Sequence, residues 1–398
     1  MQISGSVVPS QLLESWLNPA RDAVVGAVLG NFALRIPTAN QPQLDAFAES
    51  FNARVMCLEI IEKLIAMQSP VADRTFDILV DSLNSSDFAL ASLSDQLLRF
   101  ELGERSRMPM EDAYKAAYGD CPPTIIHYPS EDARNAHSEE WRGVVQDRWG
   151  LQLSEFRGAR LLDVGCGSCE KAAIYSDLGA KVTGVDMTPE VLEAAQASIG
   201  TRPIRLLQKS LFDLDDDDGI FDIVVSDGCL HCANDTRAAY ASICARLAPG
   251  GRIAVSLINV WGTLWWFEYA RILTKFLAGA DYRARAEWGT ALFSVLRGGH
   301  EKTESSGGAH RSTPSWAYDW FAAPHWNMHK PAEVLSWFSD FNLEYVKSHP
   351  GLKQEDFIDK RNVTGVFGSE RWSKASHLYW LANREYSGFY FTGRRAAS

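Results

Sequence analysis

The chain has 398 residues, of which 46% are hydrophobic and 22% are charged, and this balance is typical of a globular protein with a sizeable core. Its formal net charge of -11 at pH 7 argues against a nucleic-acid partner or an anionic membrane surface. The sequence has no signal-peptide pattern and no apolar run long enough to span a membrane, and seven cysteines, an odd number, indicate a reducing compartment. These features predict a cytoplasmic protein.

The first part of the chain has the periodicity of helices. Between residues 41 and 67, apolar residues recur at the spacing that places them on one face of a helix. We therefore predict an N-terminal helical domain over residues 1–120, serving as a lid or a dimerisation layer. The proline-rich stretch at 120–132 predicts a connector and residues 137–150 predict a helix, so that 121–157 would lead into the next domain.

From about residue 158 the pattern changes to short β-rich runs separated by helical segments. The runs are ARLLDVG, AKVTGVD, IRLLQKS, FDIVVSD and GRIAVSLIN; a helix followed by a strand at 332–349 and a last strand at 387–395 come later. This alternation predicts a Rossmann-like, doubly wound sheet of seven mostly parallel strands over residues 158–398. A long helical segment at about 261–315 is predicted to be an insertion after the fifth strand.

The sequence LLDVGCGSCEKAAI at 161–174 predicts a strand, a tight glycine turn and a helix. Gly165 and Gly167 let the backbone turn sharply and approach a ligand closely. Asp186 ends the next predicted strand, where its carboxylate can accept hydrogen bonds from two ribose hydroxyls. At this level a dinucleotide and an adenosyl ligand fit equally well.

Glu170 distinguishes these two ligands. A dinucleotide fingerprint has its third glycine at this position, and the pyrophosphate lies at the N-terminus of the following helix, where a carboxylate would repel it. S-adenosylmethionine has no phosphate but carries a sulfonium cation, an amine and a carboxylate. Asp163, at the strand end, suits its amino end and positive charge. The loop therefore favours S-adenosylmethionine as the cofactor.

Residues 158–258 resemble a class I S-adenosylmethionine-dependent methyltransferase of the small-molecule type. The matching segments are LLDVGCGS, VTGVDMTPEVLEAA, FDIVVSDGCLHCAND and LAPGGRIAVS. The family pattern D-x-G-x-G-x-G has Cys169 in place of its last glycine. Because cysteine is small, we expect the loop to tolerate this change.

The resemblance implies ten cofactor-binding residues. The first motif would hold the methionine part, Asp186 the ribose, and Met187 the adenine. The adenine would be covered by Phe212 or Asp213, and the end of the fourth strand would lie under the sulfonium. The ten residues are Asp163, Gly165, Cys166, Gly167, Asp186, Met187, Phe212, Asp213, Asp227 and Gly228.

Four further residues are candidates for a catalytic base or a substrate contact. His231 follows the fourth strand, and its alternative role is packing behind the cofactor. Asp319, His325 and His329 lie among tryptophans in YDWFAAPHWNMH, which predicts an aromatic pocket with polar anchors; the alternative is a structural turn with core aromatics. Methyl transfer depends mainly on alignment, and a base is needed only for a weakly acidic nucleophile.

Two motifs raise the question of a metal ion. The pairs CGSC at 166–169 and CLHC at 229–232 resemble a four-cysteine zinc pattern, but cofactor contacts would occupy both loops. The acidic run DLDDDDG at 213–219 lacks the spacing of an oxygen-ligand loop and predicts a charged turn. We therefore expect no metal.

The insertion has two parts with different patterns. Its amphipathic segment, 261–296, is predicted to be a substrate lid, with a dimer face or a membrane-surface helix as alternatives. The polar stretch 298–315 predicts a mobile loop at the pocket mouth. A homodimer would form through segment 261–296 or the N-terminal helices.

The sequence therefore predicts a methyltransferase acting on O, N or C of a small molecule, with a secondary metabolite (a natural product) as the expected substrate. The elements added to the methyltransferase core favour an enclosed pocket. The alternatives are methylation coupled to cyclisation or rearrangement of a carbon skeleton, a non-catalytic scaffold that binds the adenosyl cofactor, and a nicotinamide dehydrogenase.

Overall fold

A computed structural model describes residues 117, 126–259, 271, 274, 281–287, 289, 302–304, 310–312, 318–329, 331–349 and 388–397. The chain divides into two compact units, one of residues 1–107 and 266–301 and the other of residues 108–265 and 302–398. The predicted helical domain at 1–120 lies outside the described residues except for Ala117, and so does most of the predicted lid segment at 261–296.

One mixed sheet organises the second unit. Its main path has the strand order β3-β2-β1-β4-β5-β10-β9, and the two-residue strand β8 pairs with β5 beside this path. The strands are β1 Arg160–Val164, β2 Lys181–Asp186, β3 Arg205–Gln208, β4 Phe221–Asp227, β5 Leu247–Asn259, β8 Met328–His329, β9 Leu343–His349 and β10 Gly388–Arg395. All seven predicted strands lie on the main path.

The sheet is parallel except at one strand. β10 is antiparallel to both of its neighbours, β5 and β9. The prediction of a mostly parallel sheet is confirmed for β1 to β5, whose neighbouring pairs are all parallel. Parallel strands bring their carboxyl ends to the same edge, and this edge is where the candidate site lies.

Helices cover both faces of the sheet. Helices α1 Glu131–Asp147, α2 Glu170–Asp177 and α3 Pro189–Ile199 contribute to one core cluster, and α4 Thr236–Ala245 and α5 Pro331–Asp340 contribute to the other. Strand residues alternate between the two clusters: Leu161 packs in the first and Leu162 in the second. This is the three-layer, doubly wound arrangement that the sequence predicts.

Helix α1 begins earlier than the sequence periodicity predicts. It starts at Glu131, inside the segment predicted to be a connector. The Ser130 side chain caps it by accepting a hydrogen bond from the Ala133 amide at 3.1 Å, and two acidic residues lie in the first turn. These capping signals, rather than apolar periodicity, determine where the helix begins.

The stretch predicted to be a mobile loop contains regular structure. Strands β6 Lys302–Glu304 and β7 His310–Ser312 pair in antiparallel fashion as a separate two-stranded sheet. The intervening sequence is rich in serine and glycine, which are typical of turns. The predicted insertion at 261–315 is therefore not entirely helical. Among the described residues, none of the helices combines the length and apolar character needed to cross a membrane.

Candidate functional site

The glycine loop after β1 is held against the end of β2. The amides of Gly165 and Cys166 both donate to the Val185 carbonyl, at 2.8 Å and 3.1 Å. Gly165 has φ +68°, and a Cβ atom added there would collide with the Cys229 side chain. Glycine is required here both for its backbone conformation and for the close approach of the loop that follows β4.

Cys169 adopts the backbone conformation of the glycine that it replaces. Its φ is +64°, in the left-handed region, and it is the N-cap residue of α2. A left-handed non-glycine residue costs about 1–2 kcal/mol, which the fold accommodates while burying the cysteine side chain completely. The loop therefore accommodates Cys169 at the position where the D-x-G-x-G-x-G pattern has its last glycine.

Glu170 occupies the first turn of α2 with its own hydrogen bonds. Its carboxylate accepts from the Ser168 hydroxyl at 2.6 Å and from the Ile126 amide at 3.4 Å. A negative charge is thus already present where a dinucleotide would place its pyrophosphate.

A cleft opens at the carboxyl ends of β1, β2 and β4. Seven of the predicted site residues line it: Gly165, Gly167, Asp186, Met187, Phe212, Gly228 and Asp319. Its walls also include residues that no sequence motif indicated, among them Thr188, Val191, Lys209 and Ser210. The structure therefore brings the glycine loop, the end of β2 and the segment after β4 together around one cleft.

Asp186 is oriented by the loop it faces. Its two carboxylate oxygens accept backbone hydrogen bonds from Gly167 at 3.2 Å and from Thr188 at 3.0 Å. Burial raises the pKa of Asp186 above its ordinary value, and these amide donors oppose that shift. Each carboxylate oxygen can accept a second hydrogen bond, so Asp186 can still bind hydroxyl groups in the cleft.

Asp227 is held in an ion pair behind the cleft. Lys171 Nζ contacts its carboxylate, and the Ser256 hydroxyl donates to the other oxygen. Burial acts to raise the pKa of Asp227, but Lys171 outweighs it and holds the pKa below its ordinary value. Asp227 is therefore an ionised carboxylate that is already neutralised by a cation.

Asp163 is buried beside this pair, with only 5% of its surface exposed. Burial raises its pKa to about 7, although Lys171 acts in the opposite direction. Its Oδ2 atom makes no hydrogen bond to the described part of the chain. Within the described part of the chain, Asp163 therefore differs from Asp227 in forming no direct ion pair, although Lys171 acts on it from a distance.

Cys166 and Asp213 do not line the cleft. The Cys166 thiol packs behind the loop, where a Cβ on Gly184 would approach its Sγ to 2.9 Å. Asp213 is exposed at the end of the short helical turn Leu211–Asp213, whereas its neighbour Phe212 lines the cleft.

Asp319 and two tryptophans lie in the segment between β7 and α5. Asp319 is in the π-helical turn Tyr318–Ala322 and lines the cleft, and Trp320 packs on Trp326 with ring centroids 5.5 Å apart. His231 is almost fully buried and meets the Trp326 ring edge-on at 4.5 Å. His325 is half-buried in the same segment. The two tryptophans therefore pack on each other, and of this segment it is Asp319, and neither tryptophan, that lines the cleft; the aromatic pocket stays a prediction.

His329 is engaged in structural contacts away from the cleft lining. Its Nε2 atom lies 3.0 Å from the Thr236 hydroxyl and its Nδ1 atom 3.3 Å from Glu333. The imidazole thus links β8 to the start of α4 and to α5. Of the four candidates for a base, Asp319 is the one that lines the cleft.

The two cysteine pairs flank the glycine loop. Cys229 and Cys232 line the cleft, and Cys169 is buried in the core cluster next to α2. Burial raises the pKa of Cys229 to about 12, so its thiol is protonated at neutral pH. Within the described ranges, no group of three or more His, Cys, Asp or Glu side chains has the arrangement of a metal site.

The acidic run at 213–219 forms a capped turn. Lys209 Nζ lies 3.1 Å from Asp215 and 2.9 Å from Asp218, and the Asp215 side chain accepts from the Asp217 amide. Asp215 and Asp218 are therefore bound by a lysine and by backbone amides, and Asp216 pairs with Arg246, as expected for a charged turn.

Comparison with known proteins identifies the segment that carries this site. The family described as methyltransferase domain matches residues 162–255. An uncharacterized methyltransferase of Mycobacterium tuberculosis is 38% identical over 95 residues, which are 24% of this chain and 48% of the relative. The O-methyltransferase resE of Aspergillus sclerotiorum is 30% identical over 156 residues, 37% of this chain and 58% of that protein. The matches thus span about half the length of these curated relatives.

The solved structures that are similar to this chain have low sequence identity to it and low TM-scores. The magnesium protoporphyrin IX methyltransferase from Synechocystis PCC 6803, with S-adenosylhomocysteine bound, is 15% identical, covers 72% of this chain and 93% of its own, and gives a TM-score of 0.35. The plantazolicin methyltransferase BpumL, also with S-adenosylhomocysteine bound, is 12% identical to this chain. The match covers 78% of this chain and 98% of BpumL, with a TM-score of 0.37.

Proposed function

Because residues 162–255 form a class I S-adenosylmethionine-dependent methyltransferase domain, we propose that this chain transfers a methyl group from S-adenosylmethionine to a small molecule. One observation carries the proposal: the Gly167 amide donates to Asp186 at 3.2 Å, so that the glycine loop and the acidic end of β2 form one wall of the cleft. This wall suits a ligand that has a ribose and no pyrophosphate.

The cleft residues match the parts of this cofactor in order. Asp186 would accept hydrogen bonds from the ribose hydroxyls, and Met187 and Phe212 would contact the adenine from either side. The backbone at Gly165 and Gly167 would lie against the methionine part, with Asp163 supplying negative charge near its amino end. Of Phe212 and Asp213, we propose Phe212 as the adenine contact because it lines the cleft.

Glu170 supports an adenosyl ligand over a dinucleotide. Its carboxylate at the start of α2 accepts hydrogen bonds from Ser168 and from the Ile126 amide. A pyrophosphate placed there would meet a negative charge instead of free amides. We therefore propose no role for a nicotinamide cofactor.

Asp319 is the residue proposed to act on the substrate. In-line displacement at the sulfonium moves the methyl group to a nucleophilic O, N or C atom, breaks the carbon–sulfur bond and leaves S-adenosylhomocysteine and one proton. Asp319 lines the cleft, where it can orient the nucleophile and accept that proton. His231, packed edge-on against Trp326, would position this wall rather than take the proton.

The substrate is proposed to be a small, partly aromatic or otherwise apolar secondary metabolite. Apolar side chains such as Val191 and Leu211 dominate the cleft, and Trp320, the neighbour of Asp319 in the chain, packs on Trp326 with the two rings tilted. The similarity to a fungal O-methyltransferase makes a hydroxyl group the first acceptor to test. The net charge of -11 supports a partner other than nucleic acid, and the odd number of cysteines supports a reducing, cytoplasmic setting.

Calorimetric titration tests the cofactor directly. The wild-type chain is titrated with S-adenosylmethionine, S-adenosylhomocysteine and NAD, and the titrations are repeated on Asp186→Ala and on the control Asp340→Ala, which removes an exposed carboxylate paired with Arg237. We expect micromolar binding of both adenosyl ligands, no NAD binding, and loss of binding only in Asp186→Ala. Binding of NAD, or of none of the three ligands, would overturn the proposal.

Turnover separates an enzyme from a scaffold. A panel of phenols, amines and carbon acids is screened with the wild-type chain for release of S-adenosylhomocysteine. An enzyme releases it with at least one acceptor, and product mass then shows whether methylation is accompanied by cyclisation. Cofactor binding without release across the whole panel would favour the non-catalytic scaffold.

A further inference from the structure

Lys171, whose side chain is about one-third exposed, lies at the centre of a partly buried network on the α1–α3 face of the sheet. Its Nζ atom contacts the Asp227 carboxylate and lies 4.3 Å from the centroid of the Trp141 ring. The Trp141 indole in turn donates to the Tyr175 hydroxyl at 3.1 Å. These contacts hold the ammonium group in one place instead of leaving it to move in solvent.

The network is joined to the cleft through Ser256. The Ser256 hydroxyl donates to Asp227 and accepts from the Gly228 amide at 2.9 Å, and Gly228 lines the cleft. Asp227 therefore lies one residue from the cleft wall, at the end of β4. Its charge acts on any ligand that places a cation at this edge of the sheet.

Three carboxylates lie at this edge of the sheet, and they differ in the groups that bind their oxygen atoms. Asp186 is hydrogen-bonded by two backbone amides, and Asp227 is paired with Lys171. Asp163 has an oxygen with no hydrogen bond to the described residues. Lys171 thus cancels one full negative charge next to the position where the sulfonium would lie.

We propose that Lys171 is a positioning residue that holds Asp227 in an ion pair. By neutralising this carboxylate, it limits how strongly the site prefers the cationic S-adenosylmethionine over the neutral-sulfur S-adenosylhomocysteine. The inference rests on the proposed use of this cofactor. Neutralising Asp227 would help turnover. S-adenosylhomocysteine lacks the sulfonium charge, and a site with too much negative charge would bind S-adenosylmethionine far more tightly than turnover requires.

The ratio of the two dissociation constants isolates this effect. The two ligands share the adenosine, the amine and the carboxylate, and they differ in one methyl group and one unit of charge at sulfur. A mutation that only disturbs packing weakens both ligands alike and leaves their ratio unchanged. A mutation that changes the charge beside the sulfur changes the ratio.

The first variant is Lys171→Met, which keeps the length of the side chain over Trp141 and removes its charge. Because burial raises the pKa of Asp227 once its lysine is gone, the two ligands are titrated at several pH values from neutral upward. Where Asp227 stays ionised, we expect the preference of Lys171→Met for S-adenosylmethionine over S-adenosylhomocysteine to rise about tenfold, the effect of one nearby unit charge in a partly buried site. Lys171→Arg keeps the charge and should keep the wild-type ratio. Lys181→Met, which removes an exposed lysine at the first residue of β2, is the control for net charge.

The second variant removes the negative charge of the ion pair, on Asp227, instead of the positive charge on Lys171. Asp227→Asn leaves the Lys171 cation uncompensated, so the preference for S-adenosylmethionine should fall by a similar factor. The double variant Lys171→Met/Asp227→Asn removes both charges and should return to about the wild-type ratio, the pattern expected of a coupled pair. Because the two single variants should change the preference in opposite directions, either one alone still tests the proposal if the other folds poorly.

The outcomes separate the two proposals. If the wild-type chain binds both adenosyl ligands but Lys171→Met and Asp227→Asn leave the ratio unchanged, Lys171 has only a structural role and this inference is wrong. A wild-type chain that binds neither ligand overturns the proposed function, and the inference with it.

Discussion

The amide of Gly167 lies 3.2 Å from the Asp186 carboxylate, so the glycine loop after β1 and the acidic end of β2 are joined directly. Gly167 follows β1 and Asp186 ends β2, and these neighbouring parallel strands pair from Arg160 and Lys181 to Val164 and Val185. The hydrogen bond fixes the distance between the loop that would follow the methionine part of the cofactor and the carboxylate that would bind its ribose. The site is thus set by the backbone register of the sheet.

Gly165 is expected to be the least replaceable residue of the loop. In Gly165→Ala, the new Cβ meets Cys229 and the backbone is strained at φ +68°, so we expect a loss of more than about 2 kcal/mol in the free energy of unfolding. Urea denaturation measures this loss. The double variant Gly165→Ala/Cys229→Gly removes the collision but not the strain, and it should recover part of the lost stability; no recovery would mean that strain alone is responsible.

Cys169 is expected to tolerate glycine but not a branched side chain. Cys169→Gly relieves about 1–2 kcal/mol of left-handed backbone strain and loses a similar amount of buried thiol surface, so its stability should stay within about 1 kcal/mol of wild type. Cys169→Val is matched in size but β-branched, and it should be clearly destabilised. Thermal unfolding of both variants checks this, and equal stability of Val and Cys at this position would contradict it.

Asp163 is expected to make stability depend on pH below neutrality. Its folded pKa of about 7 lies well above the unfolded value near 4, so the folded state favours the protonated carboxyl and loses stability as the pH rises from about 4 to about 7. Asp163→Asn removes this loss. Its stability relative to wild type should grow by up to about 1.4 kcal/mol per pH unit across that window and level off above it.

Urea denaturation of both proteins at several pH values between 5 and 8 measures the difference. Because the other titrating groups are common to both chains, their contributions largely cancel. A difference that stays constant with pH would show that Asp163 has an ordinary pKa in the folded protein.

Asp319 and His329 are expected to respond in opposite ways to substitution. His329→Ala breaks the contacts with Thr236 and Glu333 and should cost about 1–3 kcal/mol of stability, with little effect on turnover by the folded fraction. Asp319→Asn should leave stability nearly unchanged and lower turnover by at least about a hundredfold. Denaturation measures the stability of both variants. Release of S-adenosylhomocysteine with the best acceptor from the screen measures their turnover, and together the two measurements show which residue acts in catalysis. A reversal would make His329 the base.

Much of the cofactor wall was predictable from local sequence. A buried strand followed by two glycines predicts the loop at Gly165 and Gly167, and an acidic residue about one βα unit later predicts Asp186. Both signals lie within a short stretch of chain, and the structure places these residues in one cleft. The start of α1 was mispredicted because capping by Ser130, rather than apolar periodicity, determines it.

Other features of the site depend on contacts between distant segments. Lys171 pairs with Asp227, 56 residues away, because β4 lies next to β1 in the sheet and brings its end beside α2. His329 contacts Thr236 across 93 residues for a similar reason, since β8 pairs with β5. No spacing in the sequence indicates either contact.

The sequence by itself therefore determined the strands of the sheet, the glycine loop and the acidic residue at the end of β2, because each depends on the conformational preferences of a few neighbouring residues. The tertiary structure alone decided which carboxylates are neutralised, which of the four candidate bases lines the cleft, and why Gly165 must lack a side chain. Those properties depend on strand order and on packing between segments far apart in the chain, which bring charges and side chains together without any regular spacing.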